Sequence, residues 1–207
     1  MSKPIQHVLR IDSSARRDGS ISRELGDEIV ERLVKANPGL TVVTLDLADG
    51  VAHIDADWVG ANFTAVDERT SAQRDRLATS DDAIAAVLNA DALVLTAPVY
   101  NFSIPSVLKA WIDHICRAGK TFRYTDKGPL GLVGDKPVYL AMASGGVEFG
   151  GPVDFASTYL RQVFRFIGIE DVRLIGAAGV AGDAATARQS ALNTLEQWLP
   201  AQTGEAA

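Results

Sequence analysis

Three short stretches of the chain bring together residue types that can hold a ligand, each with its own chemistry. The stretch "SSARRDGSIS" (13–22) carries Ser13, Ser14, Ser20 and Ser22 and leads into an amphipathic run. Hydroxyls beside the unpaired N–H groups and partial positive charge of a helix amino terminus suit a phosphate monoester. Ser20 by itself reads more readily as a helix cap. Four serines in one loop favour an anion site, to which Arg16 or Arg17 can add charge. The stretch "VYNF" (99–102) lies between Pro98 and Pro105, which restrict the turn. A flat conjugated ligand needs an aromatic or apolar wall with backbone donors and acceptors at its rim. Tyr100 and Phe102 offer the wall, and the N–H groups of Asn101 and Phe102 with the Asn101 amide offer the rim. In the competing reading the two rings only fill space between a strand and the next helix. Finally, "SGG" (144–146) lets N–H groups approach an electron-rich ring edge closely, although Gly-Gly after a strand is otherwise a plain turn.

Other chemistries find little support. Neither GxGxxG nor GxxxxGK[ST] follows the first apolar run, and no GxSxG elbow supports acyl transfer. Asp12 ends its strand without the second carboxylate that a magnesium-dependent phosphoryl site prefers. His7, His53 and His114 are too far apart in sequence for metal-ligand spacing. His114 reads as a surface or core histidine, Cys116 as a small buried hydrophobe, and Glu24, Asp27, Glu28 and Glu31 as a solvated helix face.

The elements that must position the three loops are written in the hydrophobic spacing. "HVLRID" (7–12), "TVVTLDL" (41–47), "ALVLTAPVY" (92–100), "PVYLAMAS" (137–144) and "VRLIGAAGV" (172–180) read as strands. Ile21, Leu25, Ile29 and Leu33 recur every four residues before "NPG" at 37–39, which predicts a helix over about 20–36. Similar patterns predict helices over about 72–90, 104–117, 153–168 and 184–199. Strands that alternate with helices imply a parallel sheet with right-handed crossovers and helices on both faces. The fold class is therefore three-layer α/β, and five strands favour the flavodoxin-like order 2-1-3-4-5 over a six-stranded Rossmann sheet. In that order the switch point lies between strands 1 and 3, so the three loops face one crevice. Two long connections, 48–71 with Trp58 and Phe63 and 118–136 with Phe122 and Tyr124, are too aromatic for disorder and read as functional loops.

The chain's 207 residues suffice for a single domain, 1–207, whose closing "PAQTGEAA" is expected to fray. One cysteine forms no internal bridge, which fits a reducing, cytoplasmic setting. No apolar run is long enough for a membrane span, and a net charge of −6 with a pI near 5.0 disfavours nucleic acid. Small molecules are the expected partners.

Taken together, "SSARRDGSIS", "APVYNFSIPSVLKAWID", "AGKTFRYTDKGPLGLVGDK" and "SGGVEFGGPVDFASTYLRQVFRFIGI" are similar to the FMN-dependent NADH-azoreductases, which are also NADH:quinone oxidoreductases. The similarity spans nearly the whole chain. It implies a flavodoxin-like homodimer with one non-covalent FMN per subunit, NADH as electron donor and active sites at the dimer interface. Position by position, it implies that Ser14, Ser20, Ile21 and Ser22 hold the FMN phosphate. Val99, Tyr100, Asn101 and Phe102 then line the isoalloxazine, and Ala143, Ser144, Gly145 and Gly146 approach its pyrimidine side. Phe122 is implied as a wall of the substrate space. Where family members often carry Ser and His, this chain has Ala143 and Glu148, which implies an altered acceptor range, above all for anionic dyes.

The expected activity is two-electron hydride transfer through FMN in ping-pong order, from NADH to quinones, with reductive cleavage of aromatic azo compounds by the same chemistry. Two other classes compete with it: a flavodoxin-type electron carrier without a substrate pocket, and a non-catalytic flavin-binding or redox-sensing module. A reductase that releases free reduced FMN is a variant of the enzyme reading.

Overall fold

A computed structural model of the chain describes residues 4–201, so the expected fraying of the carboxyl-terminal segment lies outside the described residues beyond Ala201. Five parallel strands, β1 (His7–Asp12), β2 (Thr41–Asp46), β3 (Ala92–Pro98), β6 (Val138–Ser144) and β7 (Val172–Ala178), pair in the order β2-β1-β3-β6-β7. This is the order 2-1-3-4-5 when the strands of this sheet are counted along the chain. The remaining two strands, β4 (Phe122–Thr125) and β5 (Gly128–Gly131), form a separate antiparallel hairpin.

The alternation of side chains along each strand divides the core into two apolar layers. On one face, Leu9, Ile11, Leu93, Leu95, Leu140 and Met142 pack against α3 (Ser71–Asn89), α4 (Ser106–Ile115) and α5 (Phe155–Ile167). On the other, Val8, Ala92, Val94, Tyr139, Ala141 and Ile175 pack against α1 (Ile21–Ala36) and α6 (Ala184–Trp198). The predicted helices and strands are all present, with ends one or two residues inside the predicted limits at most of them. Strand β3 stops at Pro98 rather than running to Tyr100, because residues 100–103 fold back on themselves.

Both long connections contain structure that periodicity did not reveal. Residues 48–71 hold α2 (Ala56–Phe63), whose amino terminus is capped by Asp55 accepting from the Trp58 N–H at 2.8 Å. Its two turns bury Trp58 and Ala61 against Leu77 of α3. The buried Arg117 guanidinium ties this unit down by donating to Asn62 Oδ1 at 3.0 Å, Ser80 Oγ at 3.1 Å and Asp81 Oδ1 at 2.7 Å. Residues 118–136 hold the β4–β5 hairpin, read from sequence as loop. Each of its strands is four residues long and only Phe122 is buried, so no alternation develops. The hairpin is pressed onto the carboxyl end of α5, where a Cβ at Gly131 would lie 2.1 Å from the Gly168 nitrogen. No helix of the described residues is long and apolar enough to cross a membrane.

Helix α1 crosses β3 at close range. A Cβ on Gly26 would fall 2.5 Å from Thr96 Cγ2, and Thr96 cannot rotate freely because its hydroxyl donates to Asp12 at 2.8 Å. Helix propensity alone favours alanine over glycine by about 1 kcal/mol, yet overpacking costs about 1–3 kcal/mol. Gly26→Ala is therefore expected to lower stability in urea denaturation. Gly60 in α2, with nothing within 4 Å of its added Cβ, is the control: Gly60→Ala is expected to raise stability by about 0.5–1 kcal/mol.

Candidate functional site

The register of the sheet brings the three loops to one edge. Asp12 pairs with Thr96, and the Ser13 N–H continues the ladder to the Thr96 carbonyl at 3.1 Å. Pro98 pairs with Ala143, and the Val99 N–H donates to the Ala143 carbonyl at 2.8 Å. The chain leaves β1 toward β2 on one side and leaves β3 toward β6 on the other, so a crevice opens at the carboxyl ends of these strands.

In the first loop the four serines do different work. Ser13 is buried and its hydroxyl is spent on the Thr96 carbonyl at 2.7 Å, locking the loop to β3. Ser20 occupies the cap position of α1, but its side chain makes no capping bond; its hydroxyl instead lies 3.3 Å from that of Ser22. The cap reading of Ser20 therefore fails. The N–H groups of Ile21, Ser22 and Arg23 meet no acceptor among the described residues, as expected of a first helical turn that is open to an outside ligand or water. Ser14, Ser20 and Ser22 of the same loop and helix start are each at least 97 % buried, at 1 %, 3 % and 1 % exposure. This donor set suits a phosphate.

The second loop is a two-residue hairpin closed by Tyr100 and Ser103, whose N–H groups donate to each other's carbonyls at 2.9 and 3.0 Å. Asn101 and Phe102 between them have φ of 50° and 69°, the only non-glycine positive values among the described residues. For Asn this is an uncommon conformation and for Phe a strained one. Phe102 stands 57 % exposed and so does not fill space behind α4, whereas Tyr100, at 39 % exposure, keeps most of its surface covered. The N–H groups of Asn101 and Phe102 and the Asn101 amide take no partner within the described chain.

The third loop follows Ala143 and the buried Ser144, whose hydroxyl accepts from the Val147 N–H at 2.7 Å and so tightens the turn. Gly145 and Gly146 are exposed, and their N–H groups also lack an acceptor in the described chain. A Cβ at Gly146 would meet nothing within 4 Å, which leaves open space beside the loop. Glu148 is exposed and shares a shallow cleft with Phe149 and Asp183 at the end of β7.

Phe122 is not brought to these loops by its own chain. Its ring is buried on the hairpin, 4.3 Å from the Phe166 ring and edge-on to Tyr124. The hairpin is fixed at the carboxyl end of α5, where Val133 N–H donates to Ile167 O. That end lies about 20 Å along α5 from the amino end of the helix, the end that the third loop leads into. His114 and Cys116 belong to the body of the protein. The His114 Nε2 lies 2.8 Å from the Ala52 carbonyl, which makes it the donor, and the ring sits edge-on to Trp58. Cys116 is half-buried, and desolvation, with help from Asp113, pushes its thiol up to about 11; it stays protonated and inert at neutral pH.

Sequence reasoning missed a charge cluster under the first loop. Asp12, read as solitary, accepts from Arg10 Nε at 3.0 Å and lies 3.4 Å from Arg23 Nη1. Arg23 also pairs with Asp46 at 2.7 Å, and Arg17, a candidate ligand cation by its place in the loop, is taken up by Asp46 and Asp49. A signal existed: Arg10 and Asp12, two apart on β1, must share a face, and the strand order sets Asp12 beside Asp46.

The sheet order and its helices define a flavodoxin-like protein, and known proteins of this kind are similar to it. The model of the flavodoxin-like fold family matches residues 6–199. A curated protein of Hahella chejuensis, FMN-dependent NADH:quinone oxidoreductase 1, is 46 % identical over 207 residues, covering all of both chains. Its namesake in Jannaschia sp. is 47 % identical over 92 % of this chain and 97 % of that one. Among solved structures, an azoreductase from Bacillus anthracis Sterne superposes with TM-score 0.83 at 31 % identity, covering 93 % of this chain and 96 % of that one. An FMN-dependent NADH-azoreductase from Bacillus anthracis Ames Ancestor, solved with FMN, gives TM-score 0.83 at 27 % identity, covering 94 % and 98 %. The chain belongs to the family of the FMN-dependent NADH:quinone oxidoreductases.

Two predictions come from the site itself. Phe102→Gly removes the strain of a side chain at φ 69° while giving up little burial, and is expected to raise the unfolding free energy by about 0.5–1 kcal/mol; Phe102→Val is expected to lower it. Urea titration reads both. Asp46, whose carboxyl is held down to about 2 chiefly by hydrogen bonds from Arg23, has a folded value below its unfolded one of about 3.9. Its contribution to stability is thus present above about pH 4 and lost as pH falls toward 2. Asp46→Asn is expected to flatten the stability curve across that window and leave its shape above pH 5 unchanged.

Proposed function

We propose that the protein is an FMN-dependent NADH:quinone oxidoreductase that also cleaves aromatic azo compounds, with one FMN held non-covalently in the three-loop crevice of each single-domain subunit. The observation that carries this reading is the Asn101–Phe102 turn. Its two residues are left-handed and the Phe102 ring is more than half exposed, and strain of this kind persists where a ligand uses it. The donor sets on either side have the chemistry that the two ends of FMN require.

Bound FMN would supply hydride chemistry between NADH and the acceptor in a ping-pong sequence, one two-electron round sufficing for a quinone and two being needed to cleave an azo bond. The chain's own residues bind and orient. Ser14, Ser20 and Ser22, with the N–H groups of Ile21 and its neighbours, would take the phosphate at the positive end of α1. Val99, Tyr100, Asn101 and Phe102 would hold the ring by its edge and one face. Ala143, Ser144, Gly145 and Gly146 would lie along the pyrimidine side, where the free N–H groups of both glycines can meet negative charge as it develops. Glu148, two residues beyond, would place a carboxylate at the acceptor's approach and disfavour anionic dyes.

A homodimer completes the arrangement. Within one chain Phe122 lies far from the crevice, while Phe63, Tyr124, Phe102 and Phe155 stand 83 %, 74 %, 57 % and 59 % exposed, more aromatic surface than an isolated subunit needs. A second copy would cover these rings and could bring a hairpin to the other subunit's crevice. The reducing interior of the cell suits a lone thiol and an NADH-linked activity.

The test is direct. The purified protein should show a flavin spectrum, or acquire one with FMN, and should oxidise NADH with a benzoquinone and with an azo dye. A colourless protein that FMN does not reconstitute overturns the assignment; turnover with quinone alone removes the azo activity. Asn101→Asp puts a carboxylate at the ring edge and is expected to weaken FMN binding about tenfold or more, read by fluorescence titration. Glu148→Gln is expected to raise kcat/KM for a sulfonated dye several-fold relative to an uncharged quinone, and more so at low salt.

A further inference from the structure

The charge cluster beneath the first loop has a direction to it. Arg23, on the first turn of α1, runs back under the loop with 9 % of its surface exposed. Its Nη2 donates to the Ser14 carbonyl at 2.8 Å and to Asp46 Oδ1 at 2.7 Å. Its Nη1 donates to Asp46 Oδ2 at 3.1 Å. Asp46 is itself fixed, accepting from the Ala48 N–H at 3.0 Å and lying 3.3 Å from Arg17 Nε. On the other side Arg10 grips Asp12 and donates from Nη2 to the Arg23 carbonyl at 3.3 Å. The cluster thus ends on one backbone oxygen in the loop that carries the anion site.

We propose that Arg23 is a positioning residue for the phosphate: it clamps the Ser14 carbonyl inward, with Asp46 holding the guanidinium, and so keeps the loop in its binding form. This role rests on the FMN reading above. A trans peptide is planar, with its N–H opposite its C=O. Turning the Ser14 carbonyl down onto Arg23 therefore turns the Ala15 N–H up, away from the buried cluster. The same clamp holds the Ser14 backbone, for which no other hydrogen bond is found among the described residues. Only the planar arginine fork can serve the carbonyl and both Asp46 oxygens at once; a lysine ammonium meets them as a point charge. Net charge is not the means, because Arg10 and Arg23 are balanced by Asp12 and Asp46. Nor is stability the main return, since a buried ion cluster adds little over apolar packing of the same shape.

The experiment compares two ligands that differ only in the phosphate. Dissociation constants of FMN and riboflavin are measured by fluorescence with flavin-stripped wild type, Arg23→Lys, Arg23→Gln and Asp46→Asn. The two Arg23 variants are expected to bind FMN about tenfold to a hundredfold more weakly with riboflavin affinity changed by less than about twofold. Asp46→Asn, at a carboxylate near the surface, is expected to show the same FMN-selective loss in smaller measure and serves where an Arg23 variant does not fold. Equal losses for both flavins would mark a merely structural role and overturn the proposal, as would unchanged FMN binding. A wild type that binds neither flavin overturns the FMN reading and this role with it. A wild type that binds both, beside variants that lose FMN alone, supports the two together.

Discussion

The parallel pairing of β1 with β3, from Val8 on Ala92 to Asp12 on Thr96, joins two strands whose onward connections leave in opposite directions. In open sheets of this kind such a divergence leaves a notch at the carboxyl ends of the two strands. The pairing of β3 with β6 then sets Pro98 opposite Ala143, so the loops that follow all three strands open on the same notch. A shift of one residue in either register would turn the alternate faces of the strand over, displacing the polar pair at Asp12 and Thr96. The buried bond from the Thr96 hydroxyl to Asp12 and the close approach of Gly26 to Thr96 hold that register from two sides.

The three loops then share one property, backbone donors without acceptors. A fold ordinarily satisfies its N–H groups within secondary structure, and here they are left open at the first turn of α1, at Asn101 and Phe102, and at Gly145 and Gly146. The side chains arranged around them differ, hydroxyls at the first, rings at the second and none at the third. A molecule with an anionic end and a flat, hydrogen-bonding ring answers all three, whereas a phosphate alone or a ring alone would leave one set idle.

Much of this was legible in the sequence, because strand and helix spacing, strand number and turn residues are local signals and the switch point follows from strand order. What stayed hidden involves partners far apart in the chain or elements too short for a period. Helix α2 has two turns, and the β4–β5 hairpin buries a single side chain, Phe122. The clamp from Asp46 through Arg23 to Ser14 links three elements across a span that no window of residues covers. Even so, Arg10 and Asp12 on one face of β1 announced that charge was being buried there. The serines were read as a group, but their division of labour was not readable: Ser13 is an anchor and Ser20 a cap in position only.

The Asn101–Phe102 turn is where local propensity and the fold disagree most. Asn-Gly would close the same two-residue hairpin with less strain, and Pro98 and Pro105 on either side already limit the unfolded chain. A phenylalanine at φ 69° with its ring in solvent therefore lowers stability by comparison with glycine and gains nothing in the core. Such a residue persists when its ring or its oriented N–H is used by something outside the chain. The neighbouring Arg23 clamp follows the same logic: buried charge, costly to desolvate, is retained where it fixes a backbone group that the core does not need. Two unfavourable choices, one in the loop after β3 and one beneath the loop after the adjacent β1, are hard to derive from folding alone and simple to derive from a ligand that the two loops would share.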